Sequence, residues 1–241
     1  MRPNAIAIDG PAGSGKSTIG RVLAATLGYA LLDTGPLYRL VALEVLQRGT
    51  DPGQEEEVLA CAEHILGQVT IGGTGRDTRV EVDGRPIESL NLHTREVSSV
   101  VALVSRIPRI RKLVLTIQRH LLSLTPAIIA GRDIGTVVLP DAELKLYLDV
   151  SLAERAARRL WAQGNEHLTQ SMIEKELEHR DDLDSHREAS PLRIANDAVV
   201  VRTDKLSVEE TVRMIINMCG LEQVEEANGE SLATSGAEAG R

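Results

Sequence analysis

The sequence predicts an α/β fold: a five-stranded, parallel, doubly wound sheet with helices on both faces, plus an insert that carries a small antiparallel sheet. Three observations carry this. Five short apolar runs, at 4–9, 29–33, 127–130, 144–150 and 198–202, alternate with segments whose apolar residues recur at helical spacing. Residues 69–87 break that rhythm with β-rich runs around Asp83-Gly84, a strong hairpin-turn signal. The 241-residue length suits one large domain, or one with a sizeable insert.

Each element has its own warrant. Asn4 to Asp9 reads as a short buried strand. Beyond a glycine-rich turn, Ile19, Val22, Leu23 and Leu27 share a helical face that Gly28 ends. Tyr29 to Asp33 is the second strand. Pro36 opens a helix that Gly49 closes. A further helix is expected from Asp51-Pro52 to about Gly67. The insert strands fall at 69–71, 78–82 and 85–87, followed by helices at about 94–107 and 108–124. Ser151 with Glu154, and Ser207 with Glu210, read as capping boxes. The first should start a helix ending at Gly164, the second the last helix, through Cys219. A helix holding Ile173 and Leu177 lies in the polar stretch 164–190. Residues 221–241, rich in Gly, Ala, Ser and Glu, are expected to be a disordered tail. The expected division is a core of 1–35 and 126–220, an insert of 36–125, and a lid over about 155–190.

Composition excludes several classes. The net charge is −8, which argues against a general polyanion binder. Aromatic residues make up 2%, with no Phe, so stacking platforms for single-stranded nucleic acid are not expected. Two cysteines, Cys61 and Cys219, are too few for a disulfide framework or a zinc site. No run of about 18 apolar residues suggests a membrane span. The N-terminus leads straight into a strand and does not read as a signal peptide, so a cytoplasmic location is the expectation. Nothing demands an oligomer, and a monomer is expected. Of 27 basic residues only five are Lys. Arg offers a planar fork that grips phosphate oxygens two at a time.

Gly10-Pro11-Ala12-Gly13-Ser14-Gly15-Lys16-Ser17 matches G-x-x-x-x-G-K-[ST] in full, with Thr18 following. The glycines let the backbone curl so that its N–H groups point at phosphate oxygens. The helix that starts near Lys16 adds its positive end. Lys16 can bridge the outer phosphates, and the Ser17 hydroxyl is placed for Mg²⁺. The expected ligand is a nucleoside triphosphate with Mg²⁺. A GTPase switch would need Asn-Lys-x-Asp, which is absent. A motor ATPase usually ends an apolar strand in Asp or Asp-Glu, whereas here the third core strand runs into Gly131-Arg132-Asp133. A small-molecule kinase needs an acceptor site and arginines for both phosphates.

Polar clusters lie where ligands bind in open parallel sheets, beyond the strands' carboxyl ends. They are Asp33-Thr34-Gly35, Arg39, and Arg132-Asp133. Arg155, Arg158 and Arg159 share a helical face. Arg180, Asp184 and Arg187 share another face or its end. These two groups read either as salt-bridged surface helices or as a mobile lid, hinged near Gly164, that closes arginines over a transferring phosphoryl group.

The runs at 8–18, Leu32-Asp33-Thr34-Gly35 with Leu37-Tyr38-Arg39, 131–142, His179-Arg180-Asp181-Asp182 with Asp184, and Ser190-Pro191-Leu192 resemble the bacterial cytidylate kinases, over about residues 4–219. Gly131-Arg132-Asp133-Ile134-Gly135-Thr136-Val137-Val138 is far more specific than the phosphate loop. The resemblance implies a P-loop kinase that moves the γ-phosphoryl group of MgATP to CMP or dCMP, with 36–125 as a monophosphate-binding insert. It implies that Gly10 to Thr18 hold ATP, and that Arg39, Arg132 and Arg187 hold the acceptor phosphate. Arg180 and Asp184 then hold the sugar, and Arg111 and Asp133 read cytosine. A carboxylate accepts from the cytosine amino group but not from the uracil carbonyl. The chain departs from the family at Ala102, where a Ser usually helps hold the base, and at Leu183, where a further Arg often stands. Left open are another small P-loop kinase, for UMP or a non-nucleotide acceptor such as shikimate, and a nucleotide-gated switch protein.

Overall fold

A computed structural model describes residues 3–73, 77–163 and 168–221. The five apolar runs form strands β1 (Ala5–Asp9), β2 (Ala30–Asp33), β6 (Ala127–Ala130), β7 (Leu144–Asp149) and β8 (Val199–Arg202). They make one parallel sheet in the order β2-β6-β1-β7-β8. β6 is buried along its whole length, as an apolar strand covered on both faces must be. β1 sits at the centre, where the strand order reverses. The turns after β1 and β6 therefore lie side by side, and Gly131 N donates to Ile8 O at 2.9 Å.

Helices cover both faces. Ile6 and Ile8 of β1 pack with α1 (Lys16–Leu27) and α8 (Val208–Cys219). Ala7 faces the other way, onto α2 (Gly35–Arg48) and α3 (Glu55–Leu66), in an apolar cluster that continues through α4 (Arg95–Val104) and α5 (Pro108–Leu124). That alternation is the period-2 rule of a strand buried on two sides. The small sheet is antiparallel and ordered β3 (Val69–Gly72), β4 (Arg79–Val82), β5 (Arg85–Pro86). Asp83 and Gly84 both take positive φ, 50° and 71°, as the two-residue hairpin requires. A third, small cluster joins Ala12 of the glycine-rich turn to Ala156 of α6 (Leu152–Gln163) and to Ile173 and Leu177 of α7 (Gln170–His186).

Three expectations need correction. The helix expected from Asp51 begins at Glu55, because the Asp51 side chain accepts from Gly53 N at 2.9 Å and holds a turn instead. The helix expected over 94–107 stops at Val104. The box at Ser151 is only half formed. Glu154 N reaches Ser151 Oγ at 3.4 Å, but the Glu154 carboxylate goes to Arg158 and Ser151 N donates to Asp204. Ser207 and Glu210 make the full reciprocal box. The Gly164 hinge and the tail beyond Leu221 lie outside the described residues.

Candidate functional site

Strand β1 ends in a loop whose shape only glycine permits at key points. Gly10, Gly13 and Gly15 take φ of 153°, 75° and 89°. A Cβ on Gly10 would stand 2.7 Å from Leu148 O, so the loop lies directly against β7. α1 starts at Lys16. Lys16 Nζ donates to Gly10 O at 2.8 Å, Pro11 O at 2.7 Å and Ser14 Oγ at 3.1 Å. Burial, then the nearby Arg132, push the Lys16 pKa well below the ordinary lysine value. Ser17 Oγ donates to Asp33 Oδ2, and Asp33 Oδ1 accepts from Gly35 N. The residue expected beside the acceptor thus also stands at the hydroxyl expected to face Mg²⁺.

A second cluster lies beyond the end of β6. Asp33, Thr34, Gly35, Tyr38, Val101, Ser105, Arg111, Arg132, Asp133, Arg180, Asp184 and Arg187 line one cavity of about 70 Å³. Arg111 Nη2 donates to Asp133 Oδ2 at 2.5 Å and Nη1 to Ser105 O at 3.1 Å, and the guanidinium stacks on Tyr38 at 5.4 Å. Burial opposes the Arg111 charge, but Tyr38 and Asp133 outweigh it and raise its pKa. Burial pushes the Tyr38 phenol up to about 12, so it stays neutral. Arg132 Nε donates to Asp184 Oδ2 at 2.9 Å. Burial pushes the Asp184 carboxyl upward, yet Arg132, Arg187 and Arg180 together hold it below the usual range. Arg187 Nε donates to Ser190 O at 2.5 Å. Its buried Nη2 has no hydrogen-bond partner and sits 3.7 Å from Asp133. Arg180 makes no hydrogen bond or ion pair among the described residues, and burial lowers its pKa to about 10. Its charge is therefore the least compensated at this cavity.

Not every expected residue joins this cavity. Arg39 is not among its lining residues; it is buried, and its Nη1 donates to Leu92 O at 3.0 Å and Ser98 Oγ at 3.1 Å. Thr34 does line the cavity, but its hydroxyl is tied to Ala130 O at 3.0 Å. The helical arginines are engaged elsewhere. Arg155 donates to Val150 O, Ala12 O and Asp181, and so braces the phosphate loop. Arg158 bonds Glu154 and Thr203 O, and Arg159 bonds Glu176 on α7.

Four participants are not among the site residues expected from the sequence. Tyr38 and Ser105 line the cavity. Asp181 accepts from Ala12 N at 3.0 Å and from Arg155 at 2.6 Å. Asp9 accepts from Ile134 N at 2.8 Å and Gly135 N at 2.7 Å. Tyr38, Asp181 and Asp9 all fall inside the motif runs, so that signal was available. Ser105 lies outside them and gave none.

The family model for cytidylate kinase matches residues 6–220. The chain is 39% identical over 218 residues to the cytidylate kinase of Carboxydothermus hydrogenoformans, covering 89% of this chain and 96% of that one. It is 40% identical over 217 residues to that of Pelotomaculum thermopropionicum, covering 89% and 94%. For that of Acholeplasma laidlawii the figures are 41% over 216 residues, with 88% and 93% covered. Among solved structures, a shikimate kinase from Bacteroides thetaiotaomicron aligns with a TM-score of 0.46 at 12% identity, over 90% of this chain and 98% of that one. With the family model spanning both the phosphate loop and the arginine–aspartate cavity, the chain belongs to the cytidylate kinase family.

Proposed function

We propose that the protein transfers the γ-phosphoryl group of ATP to CMP or dCMP, giving ADP and CDP or dCDP. The observation that carries this is the cavity beyond β6, where Arg132, Arg180 and Arg187 meet Asp133 and Asp184 next to the phosphate loop. A phosphate dianion needs several guanidinium groups, and a cytosine amino group needs a carboxylate acceptor. That cavity, at about 70 Å³, is smaller than the 300 Å³ or more that nucleotide-sized ligands occupy. In this reading the insert and α7 part for the acceptor and then close.

In this reading Gly10 to Thr18 wrap the triphosphate. Lys16 leaves Gly10 O and Pro11 O and turns to the β- and γ-oxygens. The acceptor phosphate oxygen, already anionic, attacks γ-phosphorus in line as the bridging β–γ bond breaks, so no general base is required. Arg39, Arg132 and Arg187 hold the acceptor phosphate, Arg180 and Asp184 hold its sugar, and Arg132 and Arg180 also reach toward the transferring group. Arg155, Arg158 and Arg159 brace the loop and α7 and need a rearrangement to reach a phosphate. A hydroxyl with a carboxylate behind it is the hard-oxygen donor set that suits Mg²⁺. Ser17, with Asp33, would hold that ion, whose chemistry is to neutralise charge on the β- and γ-phosphates.

We assign residues 36–125 to acceptor binding and 155–190 to the lid. No helix among the described residues is long and apolar enough to cross a membrane. A cytoplasmic location goes with ATP as donor.

A coupled assay for ADP over a panel of monophosphates tests the function. Turnover should require CMP or dCMP and fall at least about 100-fold in Lys16→Ala. Slow hydrolysis indifferent to the acceptor, or preference for UMP, would overturn it.

A further inference from the structure

Asp9 is the last residue of the central strand and is almost fully buried. Its neighbours along β1 are Ile6, Ala7 and Ile8, all buried and apolar. A carboxylate there is expensive to desolvate; the positive charge of Lys16 favours it and the negative charge of Asp133 opposes it. It also has two main-chain donors. Oδ1 accepts from Ile134 N at 2.8 Å and Oδ2 from Gly135 N at 2.7 Å. Those amides immediately follow Arg132 and Asp133. Asp9 itself immediately precedes Gly10, the first residue of the phosphate loop.

We propose that Asp9 is a positioning residue: its carboxylate clamps the turn that presents Arg132 and Asp133 to the end of the strand that presents the phosphate loop, and so sets the distance between acceptor and donor. The inference rests on the reading that Arg132 and Asp133 hold the acceptor. The turn has few other anchors from β1. Gly131 N donates to Ile8 O at 2.9 Å, and beyond it the bonds to Asp9 fix the backbone as it leaves the sheet. Residues 134–138 then wind into a single wide helical turn closed by Val138 N on Asp133 O and Leu139 N on Ile134 O. Such turns are often found at functional sites. Gly135 is small for the same reason. A Cβ there would stand 3.3 Å from Asp9 Oδ2 and 3.2 Å from the Lys145 side chain, prising the clamp apart.

Asp9→Asn keeps the volume but offers one acceptor to two donors, so one of the two amides faces an amino group. Gly135→Ala strains the same junction from its other side. Steady-state kinetics with ATP and CMP, with thermal unfolding as a control, read both variants beside Asp133→Ala. The expected result is a CMP KM raised on the order of tenfold or more, with the ATP KM within about twofold of wild type. A purely structural role would lower the folded fraction and reduce kcat without that split. The inference is overturned if the CMP KM stays within about twofold of wild type, or if both KM values rise together. Should Asp9→Asn not fold, Gly135→Ala decides alone. If Asp133→Ala leaves the CMP KM unchanged, the reading of the acceptor site fails and this inference falls with it. If Asp133→Ala raises it and the clamp variants do not, only the clamp is wrong.

Discussion

Arg132 Nε lies 2.9 Å from Asp184 Oδ2, which joins the turn after β6 to the last turns of α7 across 52 residues of sequence. Arg187 approaches the other oxygen of Asp184 at 3.4 Å, and Arg180 adds to the field around it. One carboxylate thus pairs with two guanidinium groups at the cavity, with a third nearby but unbonded among the described residues. An incoming phosphate must compete with Asp184 for these guanidinium groups.

Asp184→Asn should therefore act in two places. Folding stability should fall by about 2 kcal/mol, since a half-buried charged hydrogen bond becomes neutral. The acceptor KM should rise about tenfold, because Arg132 and Arg187 lose their alignment. Urea unfolding and acceptor titration check the two effects separately. An unchanged acceptor KM would mean that Asp184 serves only to hold α7 in place.

Asp133→Asn tests base reading. In the folded chain Asp133 touches Arg111 at 2.5 Å and lies 3.7 Å from Arg187, so its negative charge is aimed by two cations. An amide in its place can turn either its oxygen or its amino group to the base. The preference for CMP over UMP in kcat/KM should shrink by about tenfold or more, as one good base contact is worth about 1–3 kcal/mol. The ATP KM should hardly move. Competition between the two monophosphates in one reaction measures the ratio directly.

Much of this was legible in the sequence for plain reasons. A parallel strand covered on both faces must be apolar throughout, so Ala127 to Ala130 announces itself. A phosphate loop must carry glycine where φ is positive, so Gly10, Gly13 and Gly15 do too. What sequence could not give was the direction of side chains on α6 and α7. Helical spacing puts Arg155, Arg158 and Arg159 on one side of α6. Whether that side meets a ligand or another protein group depends on what packs there, and Asp181, Thr203 and Glu176 come from other parts of the chain. Asp9 shows the converse. A single carboxylate at a strand's end looks like loop polarity until its two backbone partners, more than 120 residues away, are seen.

Asp9 also gives a stability signature in pH. Burial drives its pKa up to about 6, opposed by the amides of Gly135 and Ile134, with Asp133 adding to the rise. The folded chain then binds this proton more tightly than the unfolded chain, whose carboxyl titrates near 3.9. Stability from this group is greatest below about pH 4, and it is lost as pH rises through about 6. Relative to Asp9→Asn, wild-type stability should decline across that window by at most about 3 kcal/mol and then level off. Urea unfolding of both proteins at pH 4.5, 5.5 and 7 reads the slope. A difference that is flat, or that grows with pH, would show that Asp9 keeps its charge throughout.

The arginines divide by what they touch, and that division is testable. Arg155 is buried and ties α6 to Val150 O, Ala12 O and Asp181. Arg155→Met keeps the stem but removes every one of those bonds, leaving Asp181 without its cation. Stability should fall by about 2–4 kcal/mol. The ATP KM should rise, because the loop loses its brace at Ala12. Arg180 has no such bonds, and burial already works against its charge. Arg180→Met should leave stability within about 0.5 kcal/mol of wild type, or raise it, since an uncompensated buried cation is removed. Its kcat should nonetheless fall by about 100-fold, if this guanidinium meets the transferring phosphoryl group. Thermal unfolding and single-turnover transfer, run on both variants, would separate a stable, slow enzyme from an unstable one. If Arg180→Met were as active as wild type, the cation over the phosphoryl group would have to come from α6 after all.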